Sequence, residues 1–534
     1  MANLSMPTTT VFVRNATGLV RELSARDAFT LNMAVLNPGV GYIGIAATVS
    51  LFLNAQLAIP LVLAAITALF LALTYVQLVS AMPRTGGDFV FVSRILDYRI
   101  GAAIGGAILV LFFQFPGFNV ATFASQVLPS GLSILAIGFN APGLAKWGAS
   151  FSDPGHAFIA GCVMLVVLGA IAIAGTKAIN RFMLWAFVIA MAGFLIVAGL
   201  FLFNSQQDFE RAFNAANPVT YAAVLGAASK AGYHSGFSWQ ATLGALPYMA
   251  LLYWGFTWAV YPGGELKSAS KTIRSSVLGA LVMGTAMYLV IWLLIIKTIG
   301  WNFLNGIAFH FYITPKANPL STPPLINLYA AYLSHNPVLD TIMAISFVAW
   351  SCLIVIAYFM VLSRIVFALS FDRILPTALA DVNERTYSPV NAVILSILGV
   401  LGVFAISEFS SALLGVFSNS TLGLAIVYVF VSLAGMLLPY RKPDIYRASP
   451  PLFRGTLFGL PWVTFFGAGS LVFSVIIVAL CIAQPSLYGA ISPWSIFITV
   501  ATFLWGVVAL YISAAVNRRH GLDIHLGFQE IPPE

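Results

Sequence analysis

Residues 28–83 read AFTLNMAVLNPGVGYIGIAATVSLFLNAQLAIPLVLAAITALFLALTYVQLVSAMP, without a single Asp, Glu, Lys or Arg. A helix needs about 20 residues to cross the hydrocarbon core of a bilayer, so this stretch has room for two crossings and a turn. Residues 455–517 are equally free of charge. Lipid offers no partner to an open strand edge, so we expect both stretches to form helices.

The whole chain has the composition of a membrane protein. Of its 534 residues, 60% are hydrophobic and 8% are charged, whereas a soluble domain carries roughly 25% charged residues. The runs lack the two-residue alternation of barrel strands, so we predict an all-α, polytopic fold with twelve membrane-spanning helices. The predicted spans are roughly 28–53, 56–82, 100–128, 157–176, 182–204, 243–264, 276–299, 339–364, 390–407, 413–438, 460–483 and 493–516.

The basic residues are divided unevenly between the two sides of this predicted topology. With the N-terminus inside, the inner segments hold twenty of the 25 Lys and Arg residues. This bias is the positive-inside rule, and it predicts a multi-pass protein of the cell membrane with both termini cytoplasmic. The net charge of +8 is therefore a topology signal and gives no support to a nucleic-acid partner.

Two predicted spans carry helix breakers near their middle. The first contains N-P-G-V-G at residues 37–41, and the sixth contains Y-W-G-F-T at residues 253–257 followed by Pro262-Gly263-Gly264. Membrane helices tolerate single kinks, but these breaks fall in the first helix of two successive groups of five. Interrupted helices at matching positions of two halves indicate the binding site of a transporter.

The breaks also suggest how the chain is organised. We expect a cytoplasmic segment 1–27, a first five-helix repeat 28–204, an outer loop 205–242, a second repeat 243–438, two further helices 439–516 and a cytoplasmic tail 517–534. The outer connections 205–242 and 300–338 are long, and we expect them to include short helices.

Four stretches resemble one known family. They are P-R-T-G-G-D-F-V-F at residues 83–91; Gly255-Phe256 with G-E-L-K at 264–267; Ser363-Arg364 with F-D-R-I-L-P at 371–376, D-V-N-E-R at 381–385 and Pro389; and the tail from Arg518 to Pro533. Their content and order are similar to the amino acid–polyamine–cation transporter superfamily. The resemblance implies a five-plus-five inverted-repeat fold with broken helices one and six. It also suggests that the first inner loop has a structural role in gating.

The resemblance also implies where an amino acid would bind. In the family, the small-residue stretch of span one receives the substrate carboxylate, and main-chain carbonyls beside the two breaks receive the ammonium. Freed N–H groups at a helix start attract an anion, and freed carbonyls attract a cation. Pro38 departs from the family pattern and removes one donor. The candidate substrate-binding residues are Ala34, Val35, Gly39, Val40, Gly41, Gln114, Leu252, Tyr253, Trp254, Gly255, Thr257 and Tyr358.

The predicted spans have no Asp, Glu or Lys at mid-depth, which favours neutral, apolar or aromatic amino acids. At Thr257, some members that handle basic amino acids carry an acid. The stretch around Ala190 is uncharged where some members place a lysine linked to proton coupling. A sodium site could combine first-span carbonyls with Ser346 or Ser351, or these serines could bond their own helix backbone. Gln114 and Asn119 could line the pocket or join helices. Proton and sodium coupling therefore both stay open.

These features together predict a secondary active amino acid permease that works by alternating access. Its expected partners are the lipid bilayer and a small amino acid substrate, with no cofactor and no metal site. A carrier of another small organic solute, such as a nucleobase, and a transporter-like nutrient sensor are the alternatives. An enzyme is not expected, because no cluster of His, Cys and acidic residues lies at membrane depth.

Overall fold

The computed structural model describes residues 18–312, 314, 325–410, 420–484, 488 and 493–528. The first seventeen residues of the expected N-terminal segment, the predicted start of span ten at 413–419 and the tail residues 529–534 lie outside the described residues.

Apolar helices dominate the described chain, as the sequence predicts. Span one consists of two shorter helices, Ala25–Leu36 and Pro38–Leu51. Eleven further helical stretches in the described residues are long and apolar enough to cross a membrane. The all-α polytopic prediction is confirmed. Spans two to twelve are Ala58–Ala81, Tyr98–Gly138, Pro154–Ile173, Thr176–Phe203, Trp239–Val260, Ala269–Thr298, Pro337–Phe371, Val390–Phe409, Ser420–Arg441, Trp462–Ala483 and Pro493–Arg519.

Short helices occupy the connections between the spans. Within the described residues they are Asp88–Ile95, Pro142–Ala149, Gln206–Ala216, Tyr221–Lys230, Trp301–Tyr312, Ile326–Ser334 and Pro443–Ala448. A two-stranded antiparallel hairpin joins Thr456–Leu457 to Leu460–Pro461. Both long connections, which the sequence predicts to be outer, thus contain helices. The local sequence explains several helix starts, such as the capping box that Ser205 and Asp208 form at Gln206.

Span three is longer than the sequence predicted. The expected helix over residues 100–128 continues to Gly138 through a π-helical turn at Phe123–Val127. The residues from Leu128 to Gly138 are mostly apolar, and the chain first turns at Asn140, which has a positive φ of 49°. Part of the stretch 129–156, which separates predicted spans three and four, is therefore an extension of span three.

The spans differ in how deeply they are buried in the bundle. In the most apolar stretch of span eight, 89% of the residues are buried, against 22% in span twelve. Span eight therefore lies in the centre of the fold, and span twelve lies at its edge. Large apolar side chains on the outer spans, such as Val166 and Leu195, stay exposed on the protein surface. A bilayer is the environment that covers such surfaces.

Both ends of the described chain meet at one face of the bundle. The Leu23 N–H donates to Glu265 O, and the Lys267 N–H donates to Leu23 O, both at 2.9 Å. At the other end of the chain, Phe528 stacks on Tyr98. We call this side the terminal face. It comprises Leu23, the loop 83–97, the exit of span six at 261–268 and the tail 520–528.

Candidate substrate site and the contacts that close the terminal face

The break in span one is centred on Asn37. This residue ends the first helix in the left-handed conformation, with a φ of 46°, which asparagine tolerates better than most residues. Pro38 is then the first residue of the second helix, where its fixed φ is favourable and its missing N–H costs no intrahelical bond. The Asn37 side-chain amide donates to the Trp350 carbonyl of span eight at 2.9 Å and so fixes the break.

On both sides of this break, main-chain polar groups lack the partner that a continuous helix would give them. The Asn37 N–H bonds Met33 O, but Ala34 O would need its donor from residue 38, and proline has none. In the second helix, Gly39 and Val40 fall in the first turn, where the helix supplies no acceptor. The Gly41 N–H already bonds Asn37 O at 2.9 Å. The C-terminal end of the first helix, where the helix dipole is negative, and the N-terminal end of the second helix, where it is positive, therefore meet at the break.

The break in span six has a different construction. Its helix ends at Tyr253, and a 3₁₀ turn follows at Trp258–Val260. The N–H groups of Gly255 and Phe256 both reach Tyr253 O, at 2.7 and 3.2 Å. The Ala259 N–H donates to the Asn32 side-chain oxygen at 2.9 Å. A polar side chain of span one therefore helps to hold the unwound segment of span six.

Glycines let the two breaks come into direct contact. A Cβ added to Gly255 would lie 2.2 Å from Val35 Cγ1, and one added to Gly39 would lie 1.9 Å from the Trp350 ring. Gly41 would meet the Tyr288 ring in the same way, at 2.8 Å. Backbone can approach this closely only where no side chain intervenes.

Tyr288 of span seven joins the two breaks. Its hydroxyl donates to Leu36 O at 2.5 Å and lies 3.4 Å from Leu252 O. It thus reaches a last-turn carbonyl in each broken helix. Sequence reasoning missed Tyr288, because a tyrosine in an uninterrupted apolar run gives no signal of its own.

The other predicted substrate residues are buried, and most of them lie on span six or against it. Tyr253, Trp254 and Thr257 lie on span six, and Tyr358 packs edge-on against Trp258 with ring centroids 4.5 Å apart. Gln114 is also buried, and its side-chain oxygen accepts a hydrogen bond from Ser420 at 2.8 Å. Gln114 therefore joins span three to span ten.

The two candidate ion-site serines have different partners. The Ser346 hydroxyl donates to Ala190 O of span five at 2.9 Å, and the Ser351 hydroxyl donates to the Asn119 side-chain oxygen of span three at 3.1 Å. The alternative in which they bond their own helix is therefore wrong. Both hydroxyls therefore join span eight to a neighbouring span.

A buried ion pair closes the terminal face below the breaks. Arg364 on span eight and Glu265 at the exit of span six form two hydrogen bonds, Nε to Oε1 at 2.7 Å and Nη2 to Oε2 at 2.8 Å. Nη2 also donates to the Thr176 hydroxyl, and Nη1 donates to the Ser363 hydroxyl. The pair connects spans five, six and eight.

Asp88, the first residue of the loop helix, makes a second junction at this face. It accepts hydrogen bonds from the hydroxyls of Tyr75 at 2.6 Å and Tyr261 at 2.8 Å. The Gly86 N–H also donates to Tyr261 O. Gly87 has a φ of 54°, and a Cβ there would clash with the Tyr261 ring. The glycine pair thus seats the exit of span six against the loop.

A third buried contact ties the loop helix to the end of span eight. Arg94 Nη2 lies 2.7 Å from Asp372 Oδ2, and both side chains are 2% exposed. The Arg94 guanidinium also lies over the ring of Phe528, 5.0 Å from its centroid. Three buried polar junctions and the tail therefore hold the terminal face shut in this conformation.

Two comparisons with known proteins agree with this architecture. The family model described as amino acid permease matches residues 26–515. A branched-chain amino acid permease, BcaP of Bacillus subtilis (strain 168), is 23% identical over 439 residues, which is 80% of this chain and 83% of that protein. Because the family model spans nearly the whole chain, the protein belongs to the amino acid permease family of the APC superfamily and is a multi-pass membrane transporter.

Proposed function

We propose that this protein carries neutral, mainly apolar amino acids across the cell membrane by alternating access, with the substrate held between the two breaks. The observation that carries the proposal is the meeting of these breaks at Tyr288. Main-chain acceptors at Ala34 and Val35 suit an ammonium, and first-turn donors at Gly39 and Val40 suit a carboxylate.

The charges of the protein support a neutral side chain on the substrate. The buried ion pairs of Arg364 with Glu265 and of Arg94 with Asp372 lie at the terminal face, and the partners of each pair neutralise each other. Around the breaks, the predicted site side chains are apolar, aromatic, amide or hydroxyl groups. A basic or acidic substrate would bring a charge that none of these side chains could pair. The related permease is named for branched-chain amino acids.

The terminal face is proposed to be the cytoplasmic one. Twenty of the 25 basic residues belong to segments that the topology places on the side of both termini. Retention of Lys and Arg on the cytoplasmic side is the rule for short loops. The orientation then requires the three junctions of the terminal face to separate whenever substrate is released into the cell.

Opening of the protein on the opposite side would break contacts at the end of span one that lies away from the terminal face. The Asn54 N–H donates to the Asn305 side chain at 2.9 Å, and the Gln56 N–H donates to the Thr242 hydroxyl at 3.0 Å. The Gln56 side chain accepts a bond from Trp292 at 3.0 Å. Individual hydrogen bonds contribute about 1 kcal/mol net, so a few can be exchanged in each cycle.

The proposal is tested with purified protein in liposomes. Uptake and counterflow of labelled leucine are measured in competition with valine, phenylalanine, lysine, glutamate, adenine and uracil. We expect valine and phenylalanine to compete and the charged amino acids and nucleobases not to compete. Failure to take up or exchange any amino acid would overturn the proposal, as would competition by the nucleobases alone.

A further inference from the structure

Trp350 has a buried donor without a partner among the residues that the structure describes. Its side chain is 1% exposed, and none of these residues supplies an acceptor to its indole Nε1. Native proteins rarely leave a buried N–H unpaired, because the lost hydration costs about 1–3 kcal/mol. The residue is otherwise well held, since Asn37 bonds its carbonyl and Phe187 packs edge-on against its ring.

The unpaired indole lies at the start of the second helix of span one. A Cβ built on Gly39 would be 2.4 Å from Trp350 Nε1, so the indole nitrogen lies directly against this residue. Gly39 belongs to the first turn of a 14-residue helix. The N–H groups of a first turn have no intrahelical acceptor, and the helix dipole favours an anion at this end. Side-chain and main-chain donors therefore lie together beside the break.

An acceptor entering at this point would satisfy both kinds of donor. The substrate of an amino acid carrier always contains one such acceptor, its carboxylate. Pro38 has removed one donor from the same turn, and an indole N–H from span eight can supply the missing hydrogen bond. A contact of this kind would also tie substrate occupancy to span eight, against which the break is fixed through Asn37.

We propose that the Trp350 indole N–H donates a hydrogen bond to the carboxylate of the bound amino acid, together with the first-turn amides of Gly39 and Val40. This inference rests on the proposed function and deepens it, because it assigns a span-eight residue to recognition of the group that all amino acids share. A hydrogen bond to a charged group contributes more than one to a neutral group. Loss of this bond should therefore weaken the affinity for the substrate by about 10- to 100-fold.

The test uses Trp350→Phe, which removes the N–H and keeps most of the ring. Binding of labelled leucine to the purified full-length protein is competed with unlabelled leucine, with 4-methylpentanoate, which lacks the amine, and with 3-methylbutylamine, which lacks the whole carboxyl group and so has no acceptor for the indole. We expect the variant to bind leucine and 4-methylpentanoate about 10- to 100-fold more weakly and 3-methylbutylamine unchanged. Equal weakening of leucine and 3-methylbutylamine would show a packing role and overturn the proposal.

Trp292→Phe is the matched control. It removes an indole N–H that already bonds Gln56, so it should not distinguish leucine from 3-methylbutylamine. If Trp350→Phe does not fold, ultraviolet resonance Raman difference spectra of the unmodified protein replace it. Leucine should shift the indole hydrogen-bond band and 3-methylbutylamine should not, and no shift with leucine would overturn the proposal. Absence of leucine binding to the unmodified protein would instead overturn the proposed function.

Discussion

Arg364 of span eight holds Glu265 of span six in a two-pronged contact, with the two side chains 0% and 3% exposed. The residues are 99 positions apart in the chain. Every nitrogen of the guanidinium has an oxygen partner, since Thr176 and Ser363 take the remaining directions. A buried ion pair of this kind adds little stability over an apolar replacement, but loss of one partner leaves an uncompensated charge.

We therefore expect Glu265→Leu to destabilise the protein by about 3–5 kcal/mol, because Arg364 would stay buried without a counter-ion. The double variant Glu265→Leu with Arg364→Met should recover most of this loss. Thermal unfolding in detergent, followed by the monodisperse fraction on size exclusion, measures both. A single variant as stable as the unmodified protein would contradict the prediction.

The raised pKa of Asp88 predicts how opening of the terminal face depends on pH. Burial raises the pKa of Asp88 to about 6, while the hydrogen bonds from Tyr75 and Tyr261 lower it. The nearby charges of Arg94 and Arg364 are held by Asp372 and Glu265, and Tyr428 packs against Tyr75. When the face opens, water restores the ordinary pKa of about 3.9. Protonation therefore favours the closed face, and this preference is lost as the pH rises through about 6.

The measurement uses Leu266→Cys as a reporter of opening, because this residue is 2% exposed at the exit of span six. Its labelling by a membrane-impermeant thiol reagent is compared between Asp88 and Asp88→Asn backgrounds, so that the intrinsic chemistry of the thiol cancels in the ratio. The ratio should rise from near one at about pH 4 to at most about 100-fold at pH 7, the limit of a shift of about two units. Asp97→Asn, a conservative cap replacement on the same face, is the control. A ratio independent of pH would refute the prediction.

The partners of Ser346 and Ser351 predict how uptake depends on sodium. The Ser346 hydroxyl bonds Ala190 O of span five and the Ser351 hydroxyl bonds the Asn119 side chain of span three, so each serine already links span eight to a neighbouring span. A sodium ion would need several oxygen ligands around one of these hydroxyls. We expect both bonds to be structural, with equal leucine uptake in sodium and in potassium buffers, and Ser346→Ala should cost only about 1 kcal/mol of stability. Uptake that requires sodium, and is lost in Ser346→Ala, would contradict this.

Local chemistry explains which features the sequence could predict. The breaks at residues 37–41 and 253–257 were predictable because proline and glycine act on their own helix. The junction of Arg364 with Glu265 was not predictable, although both residues stand in recognisable motifs, because no periodicity relates positions so far apart. Tyr288 and Trp350 gave even less signal, since their roles arise from the packing of spans seven and eight on span one. The predicted substrate residues stay predictions until binding is measured.

Gly255 tests whether the contact of the two breaks matters for transport. A Cβ there would lie 2.2 Å from Val35 Cγ1 and 3.0 Å from the Val35 carbonyl carbon, so Gly255→Ala must push the unwound segments apart. We expect leucine uptake to fall at least about tenfold, while the folded yield decreases less, because overpacking costs about 1–3 kcal/mol. Gly402→Ala on span nine is the matched control, since its Cβ would meet nothing within 4 Å. Because both changes add one methyl group to a glycine of a membrane span, equal uptake by the two variants would show that contact between the breaks is irrelevant to transport.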